Sequence, residues 1–141
     1  MILIKNKKIG LSIFSNLVII TVLNQLLKNI LQRPRPTEYR IIEETGYSFP
    51  SGHSMISMAF YGYLIYLIYK YVKNKYVKWT SIVLLSILIC SIGISRIYLG
   101  VHYTSDVLGG FLISVSYLVI YISAVIKSFV LWNNCEQKMG R

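Results

Sequence analysis

The sequence contains only two histidines, His53 and His102, and each stands among residues suited to handling an anion. Lys28, Arg35 and Arg96 bring three cations, and the two guanidiniums present planar forks that match the oxygens of a phosphate group. Pro50-Ser51-Gly52-His53 places Ser51 and Gly52 where a helix begins. Unpaired backbone N–H groups and the positive end of the helix dipole make such a start an anion seat, and glycine lets the backbone approach a ligand closely. His102 and Asp106 are four apart at another helix start, so they share a face. The carboxylate there can accept one ring N–H, which leaves the other ring nitrogen with its lone pair outward, as a nucleophile requires. His53 is then free to give a proton to a leaving oxygen.

Each of these residues also has an ordinary reading. Lys28 or Arg33 alone could snorkel to an interface. Pro34 and Pro36 alone would only stop a helix. A single His53 could be a satisfied bundle residue, and Asp106 alone would be an acid placed favourably at a helix N-terminus. Their convergence on one end of the elements that carry them is what points to a site.

Those elements are four long apolar runs, over residues 11–31, 51–69, 79–99 and 104–126. About 20 helical residues cross a hydrocarbon layer of roughly 30 Å, so the expected fold is all-α, an integral-membrane bundle of about four transmembrane helices in one domain, residues 1–141. The runs lack the period-two pattern of barrel strands, and lipid tolerates no open β-edge. Of 141 residues, 55% are apolar and only 14% charged, which excludes a disordered chain and argues against a soluble single-core domain. The first run is too long for the apolar region of a cleaved signal peptide and three more runs follow it. Cys90 and Cys135 are too isolated for a disulfide scaffold or a zinc ribbon. Among the 12 tyrosines, Tyr61, Tyr63, Tyr66, Tyr69 and Tyr71 are expected to divide between bundle contacts and the interfacial belt.

A net charge of +10 would suit a nucleic-acid binder if it were spread over a polar surface, but it lies between apolar runs, and no nucleic acid is expected as a partner. Lys5, Lys7 and Lys8 precede the first run, Lys70, Lys73, Lys75 and Lys78 join the second to the third, and Lys127, Lys138 and Arg141 follow the fourth. With the acid Glu136 this side carries a net +9. Lys28, Arg33, Arg35, Arg40 and Arg96 against Glu38, Glu43, Glu44 and Asp106 leave the other side at +1. The positive-inside rule therefore predicts cytoplasmic termini, basic loops facing anionic lipids, and a site facing outward. Richness in Lys, Ile and Asn leans toward an AT-rich bacterial genome.

The spacing of the three clusters gives a resemblance. Lys28-x6-Arg35-Pro36, Pro50-Ser51-Gly52-His53 and Ser95-Arg96-x5-His102-x3-Asp106 resemble the three motifs of the type 2 phosphatidic acid phosphatase (PAP2) superfamily, which also contains the vanadium haloperoxidases. Together they reach from Lys28 to Asp106. The resemblance implies that His102 is the nucleophile that takes the phosphoryl group, Asp106 orients it and His53 is the general acid. It assigns Lys28, Arg35, Ser51, Gly52 and Arg96 to the phosphate oxygens, with no metal and no cofactor. Arg33-Pro34 repeats the first-motif dipeptide two residues early, and Arg33 is left as an auxiliary cation or an interfacial residue. The cations should depress the pKa of His102 and Asp106 should raise it, two opposed effects.

Membrane members of the family usually have six spans, with the first motif after the third, so the resemblance implies a chain without the first two. A second copy or another subunit is then expected to cover that face, unless the chain is a minimal form or a truncated relative. Gly109-Gly110 offers a small-residue surface either to such a neighbour, as in a homo-oligomer, or to packing within one protomer. The function implied is metal-independent hydrolysis of lipid phosphates such as phosphatidic acid, phosphatidylglycerophosphate or undecaprenyl diphosphate, through a phosphohistidine. A non-catalytic lipid-phosphate-binding or assembly subunit, a vanadate-dependent haloperoxidase and a small transporter subunit stand as alternatives.

Overall fold

The chain forms four helices in a computed structural model that describes residues 2–37 and 40–139. Glu38 and Arg141, counted above among the loop charges, lie outside the described residues. Helix α1 runs Ile2–Leu31, α2 Gly52–Tyr71, α3 Lys75–Tyr98 and α4 Thr104–Met139. Three segments, Lys7–Leu31, Lys75–Tyr98 and Thr104–Ser128, are long and apolar enough to cross a membrane.

Helix α2 is the fourth expected span and falls outside that group, although it is 20 residues long. The reason is its position. It packs against α1, α3 and α4, whereas α1 and α3 do not touch each other. A helix enclosed by three others meets little lipid, so Ser54 and Ser57 are tolerated on its buried face beside Met55, Ala59 and Tyr63. The outer helices instead turn Leu11, Phe14, Leu84, Ile87, Leu112 and Ile120 outward, which suits a hydrocarbon surround.

Local chemistry sets the helix ends. Gln32 adopts a left-handed backbone, φ 44°, and donates its N–H to the Lys28 carbonyl at 3.0 Å. Pro34 and Pro36 then prevent any resumption of the helix. At the opposite end of the bundle, Asn74 caps α3 by accepting the N–H groups of Tyr76 and Val77 at 3.0 and 3.2 Å. The short connection between α3 and α4 turns at Gly100, φ 69°. The long linker of residues 32–51 is tied across the mouth of the bundle. Ser48 N–H donates to the Arg33 carbonyl at 2.8 Å, and Ile41 N–H to the Leu99 carbonyl at 3.1 Å.

Between α1, α2 and α4 the core is built on Ile20, Met55 and Ala59, with Leu23, Ile113 and Tyr117 around them. Two polar side chains in it bond to backbone carbonyls, while Asn16 Oδ1 is buried without a hydrogen-bond partner among the described residues. Asn16 donates to the Ala59 carbonyl at 3.0 Å, and Ser114 donates to the Met55 carbonyl at 2.8 Å. Tyr63 is buried and donates to Ser12 Oγ at 2.9 Å, while Tyr69 and Tyr71 are exposed at the end of α2. Tyr63 thus makes one of the expected bundle contacts.

Gly109 and Gly110 face inward, and the neighbour-protomer reading of this pair is corrected. A Cβ on Gly109 would lie 2.6 Å from the Phe49 ring, and one on Gly110 would lie 3.2 Å from the Ser51 carbonyl oxygen and 3.4 Å from Met55 N. The pair lets the start of α4 press against the start of α2. That contact fixes the two histidine-bearing helix ends relative to each other.

Candidate active site

The polar mouth gathers residues from every connection on one side of the bundle. Lys28 comes from the last turn of α1, a favourable end for a cation. His53 stands in the first turn of α2, Arg96 in the last turn of α3, and His102 and Asp106 flank the start of α4. Arg35 reaches in from the linker.

Arg35 is almost fully buried and is the hub of the linker. Its Nε donates to the Gly46 carbonyl at 3.0 Å and its Nη2 to the Thr45 carbonyl at 3.2 Å. Nη1 donates to the Val101 carbonyl at 3.1 Å and to Glu44 Oε2 at 2.8 Å. The same nitrogen lies 3.4 Å from His102 Nε2. A guanidinium has no lone pair to offer, so Nε2 must meet it as an acceptor. The ring proton therefore belongs on Nδ1, on the side of Asp106.

Asp106 has no exposed surface and is held from three sides. Arg33 Nη1 donates to Oδ1 at 2.7 Å, Tyr103 N–H donates to Oδ2 at 2.9 Å, and Ser48 Oγ also donates to Oδ2. His102 Nδ1 stands 3.6 Å from Oδ2, beyond hydrogen-bond length, and 3.5 Å from Ser48 Oγ. Asp106 thus faces the imidazole as expected, but its close partners are Arg33, Ser48 and a backbone amide. Arg33, the auxiliary cation, is committed here. It also donates to Ser105 Oγ at 2.8 Å and stacks 4.4 Å from the centroid of the Tyr103 ring. The linker register that buries Arg35 points Arg33, two residues earlier, at Asp106.

Ser51 and Gly52 are placed differently from a simple seat of free amides. Ser51 is fully buried, its N–H donates to the Asp106 carbonyl at 3.1 Å, and its Oγ accepts from Ser54 Oγ at 3.0 Å. The expectation of a free Ser51 N–H is corrected, because that amide ties the start of α2 to α4. Gly52 faces a cavity of about 450 Å³. A Cβ there would lie 3.1 Å from Asn24 Oδ1, so glycine is favoured by proximity to α1.

The cavity lies between α1 and α3, over α2, in the gap left because those two outer helices do not touch. At its polar end stand Lys28, Glu44, His53 and His102, and its wall continues along Leu17, Ile56, Phe60 and Ile92. His102 itself is buried. Burial first, then the charges of Arg35 and Lys28, lower its pKa to about 4, against the opposite pull of Asp106 and Glu44. The two opposed effects expected from the sequence therefore resolve toward a neutral ring, with Nε2 unprotonated at neutral pH.

This depression has a consequence for stability. Between pH 6.5 and about 4 the unfolded chain binds more protons at this ring than the folded one does, so stability rises with pH across that window. The contribution is complete above 6.5 and is lost as the pH falls toward about 4. His102→Gln is expected to flatten that part of a Tm-against-pH curve while leaving the curve above pH 7 nearly parallel to that of the parent protein. Parallel curves throughout would mean that the ring titrates normally.

Three participants were not singled out in the sequence. Glu44 bridges Arg35 and Arg96, at 2.8 and 3.4 Å. Ser48 supports Asp106. Asn24 is buried and donates to the Pro50 carbonyl at 3.4 Å, steadying the turn before α2. An acid next to Glu43 in a polar linker and a serine near a proline carry no periodic or spacing signal, and only the folding of the linker over the mouth reveals them.

Fold and site together define a multi-pass membrane protein with a cation-lined pocket built around two histidines and a buried carboxylate. The chain belongs to the PAP2 superfamily, whose sequence model matches residues 9–129. It is 41% identical over 91 residues to phosphatidylglycerophosphatase B of Bacillus subtilis (strain 168), covering 63% of this chain and 44% of that protein. It is 29% identical over 128 residues to an undecaprenyl-diphosphatase of Sulfolobus acidocaldarius, covering 85% of this chain and 58% of the relative. Its fold matches the crystal structure of a transmembrane PAP2-type phosphatidylglycerolphosphate phosphatase from Bacillus subtilis, with a TM-score of 0.76 and 32% identity over 84% of this chain and 59% of that one. The chain thus spans about half the length of these relatives.

Proposed function

We propose that this chain hydrolyses terminal phosphate groups of membrane lipids, with His102 as nucleophile. The observation that carries this reading is the cavity, whose cationic end holds both histidines and whose apolar wall opens between α1 and α3. A phosphate would sit among Lys28, Arg35 and Arg96 while the acyl or isoprenyl chain lies along Leu17, Phe60 and Ile92. The named activities of the relatives favour phosphatidylglycerophosphate as the first substrate to test and undecaprenyl diphosphate as the second.

In the first step the lone pair of His102 Nε2 forms a bond to phosphorus and the bond from phosphorus to the leaving oxygen breaks. His53 delivers a proton to that oxygen. Water then attacks the phosphohistidine, giving up a proton to His53, and inorganic phosphate leaves. The surrounding cations stabilise charge on the equatorial oxygens, where such reactions gain most of their rate. Ser48 and Arg33 act through Asp106, holding in place the carboxylate that faces the ring.

The deciding experiment is phosphate release from a panel of lipid phosphates by the purified protein in detergent, with chelator present. Turnover that depends on His102 supports the reading, and tight binding without any release would leave a lipid-binding subunit. The role of His53 has its own signature. His53→Ala should slow release of an alkoxide by about 10²-fold or more, the usual weight of general acid catalysis, and should slow an aryl phosphate far less, because a phenolate leaves without a proton. Equal losses on both would make His53 a binding group.

The site is proposed to face outward, with the basic turn of Lys73, Lys75 and Lys78 at the cytoplasmic surface against anionic lipids. Cysteines introduced at Glu43 and Lys75, in a background without Cys90 and Cys135, test this. Only the Glu43 position should react with an impermeant thiol reagent in intact cells, and labelling at Lys75 instead would reverse the orientation.

A further inference from the structure

Glu44 lies among the groups that the proposed mechanism assigns to phosphate. Its carboxylate spans the two guanidiniums, Oε2 at 2.8 Å from Arg35 Nη1 and Oε1 at 3.4 Å from Arg96 Nη1. It shares the polar end of the cavity with Lys28, His53 and His102. Two oxygens of a carboxylate, held by two separate cations, reproduce the arrangement in which two oxygens of a phosphate would be held.

We propose that Glu44 is the resident anion of the phosphate seat, a built-in competitor that any phosphate must displace from Arg35 and Arg96 before it binds. The inference rests on the reading of this cavity as the phosphate site. Arg35 keeps its place without Glu44, because the carbonyls of Gly46, Thr45 and Val101 also hold it. The cation side of the pair is therefore rigid. On the acid side, the bonds to Arg35 and Arg96 are the ones that hold the Glu44 carboxylate among the described residues, and its side chain is 24% exposed. Displacement then needs only rotation of the Glu44 side chain, with the Thr45 and Gly46 carbonyls left in place on Arg35. Burial pushes the Glu44 carboxyl up, but the neighbouring Arg35 charge and hydrogen bond outweigh it and keep the group ionised.

The consequence is a threshold for binding. An enzyme embedded in a bilayer is surrounded by phosphodiester headgroups, each with one negative charge on its phosphate. Phosphomonoesters and terminal diphosphates carry more charge and lie at far lower concentration. A resident carboxylate lowers the apparent affinity of every phosphate by one common factor, the fraction of time the seat is open. Weak monoanionic diesters then fall below the level at which they occupy the seat, while the more highly charged substrate still displaces Glu44. The device keeps the seat clear of bulk lipid.

The test uses the full chain in detergent and the variant Glu44→Gln, which keeps the shape and removes the charge. Binding of inorganic phosphate, and separately of a short-chain phosphatidylglycerol as the phosphodiester, is measured by calorimetry, which needs no turnover. If the paired form is favoured about ten to one, Glu44→Gln should tighten both ligands about tenfold and by the same factor. Where lipid phosphate is hydrolysed, KM should fall, and phosphatidylglycerol should become an effective competitive inhibitor. Glu44→Asp retains the charge on a shorter arm and should fall between the two. Unchanged or weaker phosphate binding in a folded Glu44→Gln protein would overturn the inference, as would no phosphate binding by either protein. Tighter binding in a protein that hydrolyses no lipid phosphate would sustain it while removing the catalytic reading. If Glu44→Gln fails to fold, Glu44→Asp decides, since affinities equal to those of the parent would also overturn it.

Discussion

Replacing His102 by alanine is expected to abolish turnover and any acid-labile phosphoenzyme, because its ring is the one at the polar end of the cavity whose Nδ1 faces the Asp106 carboxylate and whose Nε2 is left as an acceptor. Asp106→Asn is expected to keep the fold and to slow the chemistry by about 10²–10⁴-fold, the range found when an orienting carboxylate loses its charge. The structure gives a specific reason for a loss at the upper end. The carboxylate receives Ser48 and the Tyr103 amide on one oxygen and Arg33 on the other. An asparagine can satisfy the first pair with its carbonyl oxygen only by turning its NH2 toward Arg33, which has no acceptor to offer. Relaxing that clash turns the oxygen away from Ser48 and loosens the support of the imidazole. Single-turnover kinetics with trapping of the phosphoenzyme read both variants. Near-normal turnover in a folded His102→Ala protein would remove this residue from the mechanism.

A second large effect is expected at Arg35. Arg35→Lys keeps the charge, yet a lysine cannot reproduce a fork that bonds the carbonyls of Gly46, Thr45 and Val101 while facing Glu44 and His102 Nε2. The linker over the mouth would lose its anchor, and the phosphate would lose a donor fixed in advance. Loss of one such preorganised donor costs about 10²–10³-fold in rate, so kcat/KM should fall by at least that much. Arg33→Lys should be milder, because Arg33 contributes through Asp106 and is partly exposed. Steady-state kinetics of the two variants, with limited proteolysis of the linker as a structural readout, separate these roles. Equal losses at both positions would show that Arg35 acts on the linker alone.

Helix identity and the choice of candidate site residues at the span ends were legible in the sequence, for a physical reason. Hydrocarbon forces every backbone group to pair within its own helix, so long apolar runs leave few folds to choose among, and any ionisable group near a span end stands out against them. Lys28, His53, Arg96, His102 and Asp106 could be selected that way because each is fixed to a helix end whose position follows from the span. The polar linker of residues 32–51 obeys no such constraint. The motif spacing singled out Arg35 over Arg33, but their partners are a matter of register, and the tertiary structure decides those by giving Arg35 the carbonyls of residues 45, 46 and 101 and giving Arg33 the carboxylate of Asp106. Gly109 and Gly110 looked equally suited to a neighbouring protomer until the Phe49 ring and the start of α2 were found against them. Glu44 and Ser48 gained their places in the site only when the linker folded over the mouth, since a contact between residues far apart in the chain leaves no mark on the spacing of either.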